Sequence, residues 1–368
     1  MEIFRKFGFD KPLFIIILAI LCFGLVMVFS SSVILANEKY QKPFFFFISQ
    51  LIGVILGIGV AFLVLTIKYP FYQNKYFVLG LLVLSVSLLI LCLLLPSLGI
   101  TKRWLYLYGF RFQPSELTKL SLILYFAYYF DRRQDKLNEI RTLFLPLGIL
   151  FLFIFLIVKE PDHSTALIIF IISILMLFIG GIKLKYFLIT GLVSLAIIAL
   201  NMINSTYALT RIFTFISPER DPLGSGFQAL QSKLAVGSGG IFGVSLGEST
   251  QKLFFLPCAH TDYIYAIIGE ELGILGTVSV LLLFCLFFWR GLVVSWRAPN
   301  TFSRLAAVGI TFSIFFQAML NISIVLGLGP PTGLPLPLFS YGRSSLIVTM
   351  FGIAILMHIS QRKRNDRI

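Results

Sequence analysis

"LPCAHTDYIYAIIGEELGILGTVSVLLLFCLFFW", residues 256–289, changes character at Tyr263. Before it stand His260, Thr261 and Asp262; after it the chain is apolar almost without interruption to Trp289. A helix rising about 1.5 Å per residue over 263–289 is long enough to cross the roughly 30 Å hydrocarbon core of a bilayer. Working outward, similar apolar runs lie near 12–34, 44–67, 76–95, 117–130, 142–158, 164–180, 186–203, 304–326 and 344–359. The expected fold is therefore all-α, a polytopic membrane protein of about ten helices, with a long loop at 204–262 between the seventh and eighth. The run 117–130 is the shortest and has polar edges. Composition agrees: 58% of the 368 residues are hydrophobic, only 12% are charged, and mean hydropathy is +0.95. A soluble core does not need so much apolar sequence. Neither a separate soluble domain nor a repeat of 20–50 residues is visible, so the reading is one transmembrane domain over 1–368.

The formal net charge is +14. Without a soluble domain to carry it, this excess points to membrane flanks and not to nucleic acid. With the N-terminus placed inside, the inner segments 1–11, 68–76, 131–142, 181–186, 290–304 and 360–368 hold 18 of the 30 Lys and Arg residues. The positive-inside tendency then sets both termini in the cytoplasm. The first apolar stretch has no small-residue cleavage site after it and reads as a retained span. Cys22, Cys92 and Cys285 lie in apolar runs and Cys258 in a loop, which gives no disulfide framework and no metal-ligand spacing.

This topology gathers the unusual segments on the outer side: "TKRWLYLYGFRFQPSELTKL" (101–120), "KEPDHSTA" (159–166), the 204–262 loop and "GLGPPTGLPLPLFSYGRSS" (327–345). One face crowded with Pro, Gly, charge and aromatics reads as one site. No phosphate-binding Gly-rich loop ending in Lys-Ser/Thr is present. Chemistry outside the cytoplasm must then use a donor already activated, such as a lipid-linked diphosphate.

Each candidate has two readings. Asp262, at the mouth of the eighth span, is either a helix N-cap or a general base. His260 beside it is an orienting hydrogen-bonder or a catalyst. Glu116 and Lys119 share a helix face and form either a structural ion pair or a pair that aims Lys119 at an anion. Arg103 is a loop charge or a diphosphate ligand. Glu160 and Asp162, around Pro161, fit helix-start chemistry. Glu270 and Glu271 fall deeper and fit pairing inside the bundle. In 204–262, Phe227, Leu230 and Leu234 share a face, which predicts a short interfacial helix. Glycines 237, 239, 240, 243 and 247 would let backbone approach a ligand or simply turn tightly. Pro330, Pro331, Pro335 and Pro337 forbid a regular helix, and broken backbone at membrane depth lines a cavity or is buried in protein.

These residues resemble the SEDS family, the polytopic peptidoglycan glycosyltransferases that include FtsW and RodA. The likeness covers nearly the whole chain. It rests on "KRWL…FQPSELTKL", "EPD", "DPLGSGFQ…GSGGIFGVSLGES.QKLFFLP.AHTDYIYAIIGEELG" and "PPTGLPLPLFSYG.SS". "QKLFFLP", "IGEELG" and Glu160 before Pro-Asp are closer to the division-type branch. The resemblance implies polymerisation of lipid II outside the cytoplasmic membrane, for septal wall synthesis, in complex with a class B penicillin-binding protein among other divisome or elongasome membrane proteins. It implies Asp262 as the catalytic residue, taking the proton of the acceptor hydroxyl in an inverting transfer. It also implies a substrate pocket drawn from Arg103, Glu116, Lys119, Asp162, Lys252, His260, Thr261, Ser340 and Ser344. Cations among these would offset the leaving diphosphate, with a divalent ion (Mg or Mn) as a further expectation. The sequence departs from the family's usual pattern at His163-Ser164 (an aromatic or aliphatic residue, then Gly), Cys258 (Glu), Arg343 (Gly) and Thr118 (Ala). A lipid II flippase and a non-catalytic scaffold that activates the penicillin-binding protein are the alternatives.

Overall fold

A computed structural model describes residues 8–67, 70–95, 103–107, 110–136, 139–203, 206–222, 224 and 226–361. The terminal basic residues Arg5, Lys6, Arg362, Lys363, Arg364 and Arg367, with Lys68 and Lys102, lie outside the described residues. All ten expected segments are helical. They are α1 (Lys11–Tyr40), α2 (Phe45–Thr66), α3 (Lys75–Leu94), α4 (Pro114–Arg132), α5 (Ile140–Lys159), α6 (His163–Ile179) and α7 (Leu184–Ile203). Two helices inside the long loop follow, α8 (Thr206–Ile216) and α9 (Phe227–Ser238), then α10 (Ile264–Trp296), α11 (Thr301–Val325) and α12 (Arg343–Gln361). Among the described residues, seven helices (α1, α2, α3, α5, α10, α11 and α12) are long and apolar enough on their own to cross a membrane. Helix α4 stands apart because Glu116, Lys119, Asp131 and Arg132 punctuate it, yet Glu116, Lys119 and most of its side chains are buried. It is a central helix wrapped by others, whereas α2 and α3 leave Ile55, Phe62, Leu63 and Val83 outward, as lipid-facing helices do.

Polar contacts sort the connections into two ends. At one end Asp10 caps α1 through Leu13 N (2.9 Å) and pairs with Arg290 of α10. There too Tyr72 bonds His358 (2.9 Å), and Asp131 accepts from Phe302 N (3.0 Å). Gathered at the other end are the described residues of the connections α1–α2, α3–α4, α5–α6, α7–α10 and α11–α12, tied together through Arg103 and Glu160 O, Gln113 and Asp162, Ser164 and Thr332 O, and Tyr341 N and His260 O.

The long loop contains more structure than its sequence announces. Helix α8 was not expected. Helix α9 was expected, but its buried seam is Ser232 and Ala235; Leu234 is 58% exposed. Small residues there let α9 approach α10 closely: a Cβ on Gly239 would lie 1.9 Å from Gly269 O. The chain leaving α9 then crosses a break in α10 at Gly273 (φ 65°, ψ −156°). Val244 N and Ser245 N donate to Glu270 O and Glu271 O (3.0 and 3.2 Å), and Ile274 N and Leu275 N donate to Gly240 O and Ile241 O (2.9 and 3.3 Å). The broken helix thus recovers its backbone hydrogen bonds inside the protein, as hydrocarbon surroundings demand.

Candidate active site

Asp262 is half-buried just before α10. The helix starts at Ile264, and its N-cap, Tyr263, makes no side-chain capping bond. The carboxylate is therefore not used as a cap. Asn321 of α11 ties Asp262 to the Pro-rich segment: its Nδ2 donates to Asp262 O (2.8 Å) and to Leu334 O (2.7 Å). Gly333, in the left-handed region at φ 72°, lies under the site; a Cβ there would sit 3.5 Å from Asp262 Oδ2 and 3.8 Å from Arg211 Nη2. Burial pushes the Asp262 carboxyl up to about 6, while the Arg211 and Arg103 guanidiniums pull the other way. That value suits a base at neutral pH, because the group is ionised yet more basic than an ordinary aspartate.

Arg103 is half-buried and held by main-chain carbonyls at the α5–α6 connection: Nε donates to Glu160 O (3.3 Å) and a terminal N–H to Pro161 O. Both bonds spend donors on neutral acceptors, which leaves its charge available to Asp262 and to an anion. Glu160 itself is fully buried, and among the described residues its carboxyl oxygens have no hydrogen-bond partner. Burial, reinforced by Asp162, pushes it up to about 9 against Arg103, so it is uncharged at neutral pH. Asp162, the other aspartate of interest, is a cap in full. It accepts from Thr165 N and Oγ1 (3.2 and 2.9 Å), Gln113 Nε2 (2.9 Å) and Ser115 Oγ (3.2 Å). Its work is to bind the starts of α4 and α6 together.

Several residues expected at the substrate are engaged in contacts within the protein. Lys252 is buried against Glu271 (2.9 Å) and Gly247 O, and Glu271 also accepts from Ser30 of α1. Glu270 takes Ser249 Oγ together with Thr250 N and Oγ1 (2.9 and 2.8 Å). These carboxylates fasten the loop 247–252 to the broken helix. Lys119 is buried between Glu116 (2.9 Å) and Gln317 Oε1 (2.5 Å); Ser345 donates to Glu116 (3.0 Å) and Gln317 Nε2 to Pro335 O (3.0 Å). The network joins α4, α11, α12 and the Pro-rich segment around a cavity of about 30 Å³, room for a water. It is a foundation beneath the site, and Ser345, not Ser344, reaches it. Ser340 accepts from Leu336 N (2.8 Å) and closes the turn 336–340. Thr261 bonds Cys258 O (3.1 Å) within its own turn. His260 packs on Phe46 (4.6 Å between ring centroids) and its carbonyl accepts from Tyr341 N (3.0 Å). Burial and Lys39 push its imidazole down to about 4, so it is neutral and unsuited to carry a proton as imidazolium.

Three residues beside Asp262 escaped the sequence reading: Arg211, Asn321 and Gly333. Arg211 carried the clearest signal, being the one charge in "TYALTRIFTFI". As for a divalent ion, among the described residues no group of three or more His, Cys, Asp or Glu could hold one, and the positive charge beside Asp262 is supplied by arginines. The donor set does not fit a protein-held metal, and no step below uses one.

Residues 11–365 match the FtsW, RodA and SpoVE family, described as "Cell cycle protein". The chain belongs to this family. It is 39% identical to the probable peptidoglycan glycosyltransferase FtsW of Trichlorobacter lovleyi, covering 97% of this chain and 94% of that one. To the stage V sporulation protein E of Bacillus subtilis it is 37% identical over 98% of this chain and 99% of that one. Among solved structures, a chain from a peptidoglycan synthase complex that coordinates polymerization and crosslinking superposes with a TM-score of 0.78 at 29% identity, covering 98% of this chain and 99% of that one. RodA of Thermus thermophilus superposes with a TM-score of 0.72 at 25% identity and the same coverage.

Proposed function

We propose that this protein polymerises lipid II by inverting glycosyl transfer, with Asp262 as the base. It is a peptidoglycan glycosyltransferase of the FtsW type, built as a multi-pass membrane protein. The observation that carries the catalytic reading is the placement of Asp262: not a cap, raised in basicity by burial, and lying with Arg211 over the Gly333 backbone. In the proposed step the carboxylate takes the proton of the acceptor sugar hydroxyl. The freed oxygen attacks the donor's anomeric carbon from the side opposite the leaving group. The bond from that carbon to the lipid diphosphate breaks, and the electron pair leaves with the diphosphate. Arg103 and Arg211, whose charges act on Asp262, are the cations that would offset this charge. A chain of similar fold works in a complex of polymerization and crosslinking, which supports a penicillin-binding protein as the partner here. Septal synthesis and an outward-facing site complete the reading.

The test is polymerisation of labelled lipid II by the purified protein, with and without its penicillin-binding protein. Glycan polymer is expected, with more in the complex. Transbilayer movement of lipid II in liposomes without polymer would replace this reading with a flippase. Absence of both activities, alone and in the complex, would leave a scaffold.

A further inference from the structure

Beside Asp262 the described residues leave polar atoms buried without partners: both ring nitrogens of His163, Thr332 Oγ1 and Asn321 Oδ1. Burying such groups unpaired costs free energy, so a cluster of them at one place marks where something polar is received. The connections place them together. Ser164, next to His163, donates to Thr332 O (3.1 Å). Thr332 precedes Gly333, over which Asp262 and Arg211 lie, and Asn321 holds Asp262 O. His163 itself lies within electrostatic reach of Arg103, Asp162 and Arg211. The Asp162 carboxylate already accepts from Thr165, Gln113 and Ser115 and gives the imidazole no hydrogen bond.

We infer that His163 is a substrate-positioning residue of this chain, donating a hydrogen bond to a phosphoryl oxygen of the lipid-linked donor that Arg103 and Arg211 hold. The inference rests on the glycosyltransferase reading. The His163 ring has no hydrogen-bond partner among the described residues, and a phosphoryl oxygen supplies an acceptor for its N–H. Arginines fix such an oxygen by charge and fork geometry, and the imidazole adds direction. The contact tunes donor binding without altering the chemical step.

The variants are His163→Phe, which keeps an aromatic ring and removes both nitrogens, and His163→Gln, which restores a donor. In polymerisation assays against lipid II concentration, His163→Phe is expected to raise KM about tenfold, the equivalent of roughly 1.4 kcal/mol, with the larger part of the change in KM and not in kcat. His163→Gln should recover part of it. Direct binding of lipid II is measured in parallel on Asp262→Asn and on Asp262→Asn/His163→Phe in nanodiscs, with an about tenfold weaker Kd expected for the second. Equal KM and equal Kd with and without His163 would overturn the proposal and make the ring a packing element. If the wild type makes no polymer, the parent reading fails, and the binding arm still decides the role of His163 on its own. A variant that unfolds is told apart by its thermal transition, and His163→Gln then carries the comparison.

Discussion

Two aspartates at the start of apolar helices look alike in the sequence and differ in the structure. Asp162 is consumed by donors from Thr165, Gln113 and Ser115, so its carboxylate is neither free to move a proton nor needed for one. Asp262 caps nothing, and its environment favours a proton more than that of an ordinary aspartate. Replacing Asp262 by Asn keeps size and removes the basic oxygen pair; lipid II polymerisation is expected to fall by roughly 10²–10⁴-fold, the usual worth of a general base. Wild-type polymer yield from folded Asp262→Asn would assign the base elsewhere. The pH profile gives a second check. The base works ionised, so kcat/KM should rise with pH through a limb near 6. Arg211 favours the ionised form; Arg211→Gln removes that help, raises the carboxyl's pKa, and should shift the limb to higher pH. An unmoved limb would show that Arg211 does not act on Asp262. The aspartates' positions were legible in the sequence because charges are rare in apolar chain. Their division of labour was not, since it depends on donors 47 and 49 residues away along the chain.

At the level of elements, the length of the apolar runs revealed the ten long helices among the described residues, because hydrocarbon thickness sets their length. It missed α8, whose eleven residues are too few to announce a span. The glycines of 237–247 gave an ambiguous signal in the sequence, with either a ligand or a turn as the reason. The structure shows a third use: backbone of 240–245 docks on the break at Gly273 and replaces the hydrogen bonds the helix lost there. The turn reading holds at Gly240, Gly243 and Gly247, at φ 57°, 79° and 92°, but the docking was not legible, since the partner backbone is identifiable only once α9 has folded against α10. Glu116 and Lys119 were correctly seen as neighbours, but what lies around them, Gln317 and Ser345, comes from two later helices. This network predicts a stability pattern. Lys119→Met strands a buried carboxylate and should destabilise the protein by about 3–5 kcal/mol. Adding Glu116→Gln removes the stranded charge and should restore much of that loss. Thermal unfolding in detergent of the two single variants and the double variant measures it. Single variants as stable as wild type would mean that the pair contributes little to the fold.

For the whole molecule, polarity is divided between the ends of the bundle, and sidedness is what turns that division into a function. The end holding Asp262, Arg103, Arg211 and the Pro-rich segment is the one that charge counting puts outside, where a lipid-linked sugar is available and a nucleotide is not. The opposite end carries Arg132, Arg133, Arg290, Arg297 and Arg304 at helix ends and on short connections, as a cytoplasmic face does. The fold fixes which residues share an end, but the direction of the bundle in the bilayer is set by loop charges acting during insertion. Exposed positions at each end supply the test. In a background with Cys258→Ser, Glu248→Cys is introduced in the long loop, and Arg297→Cys separately in the α10–α11 connection; both sites are exposed. A membrane-impermeant thiol reagent applied to intact cells should label the variant at 248, with access through the outer envelope established by a known exterior control. The variant at 297 should label only after lysis. The reverse pattern would turn the site toward the cytoplasm, where the donor would have to be polymerised before it crosses the membrane, and the proposed lipid II polymerisation outside could not stand.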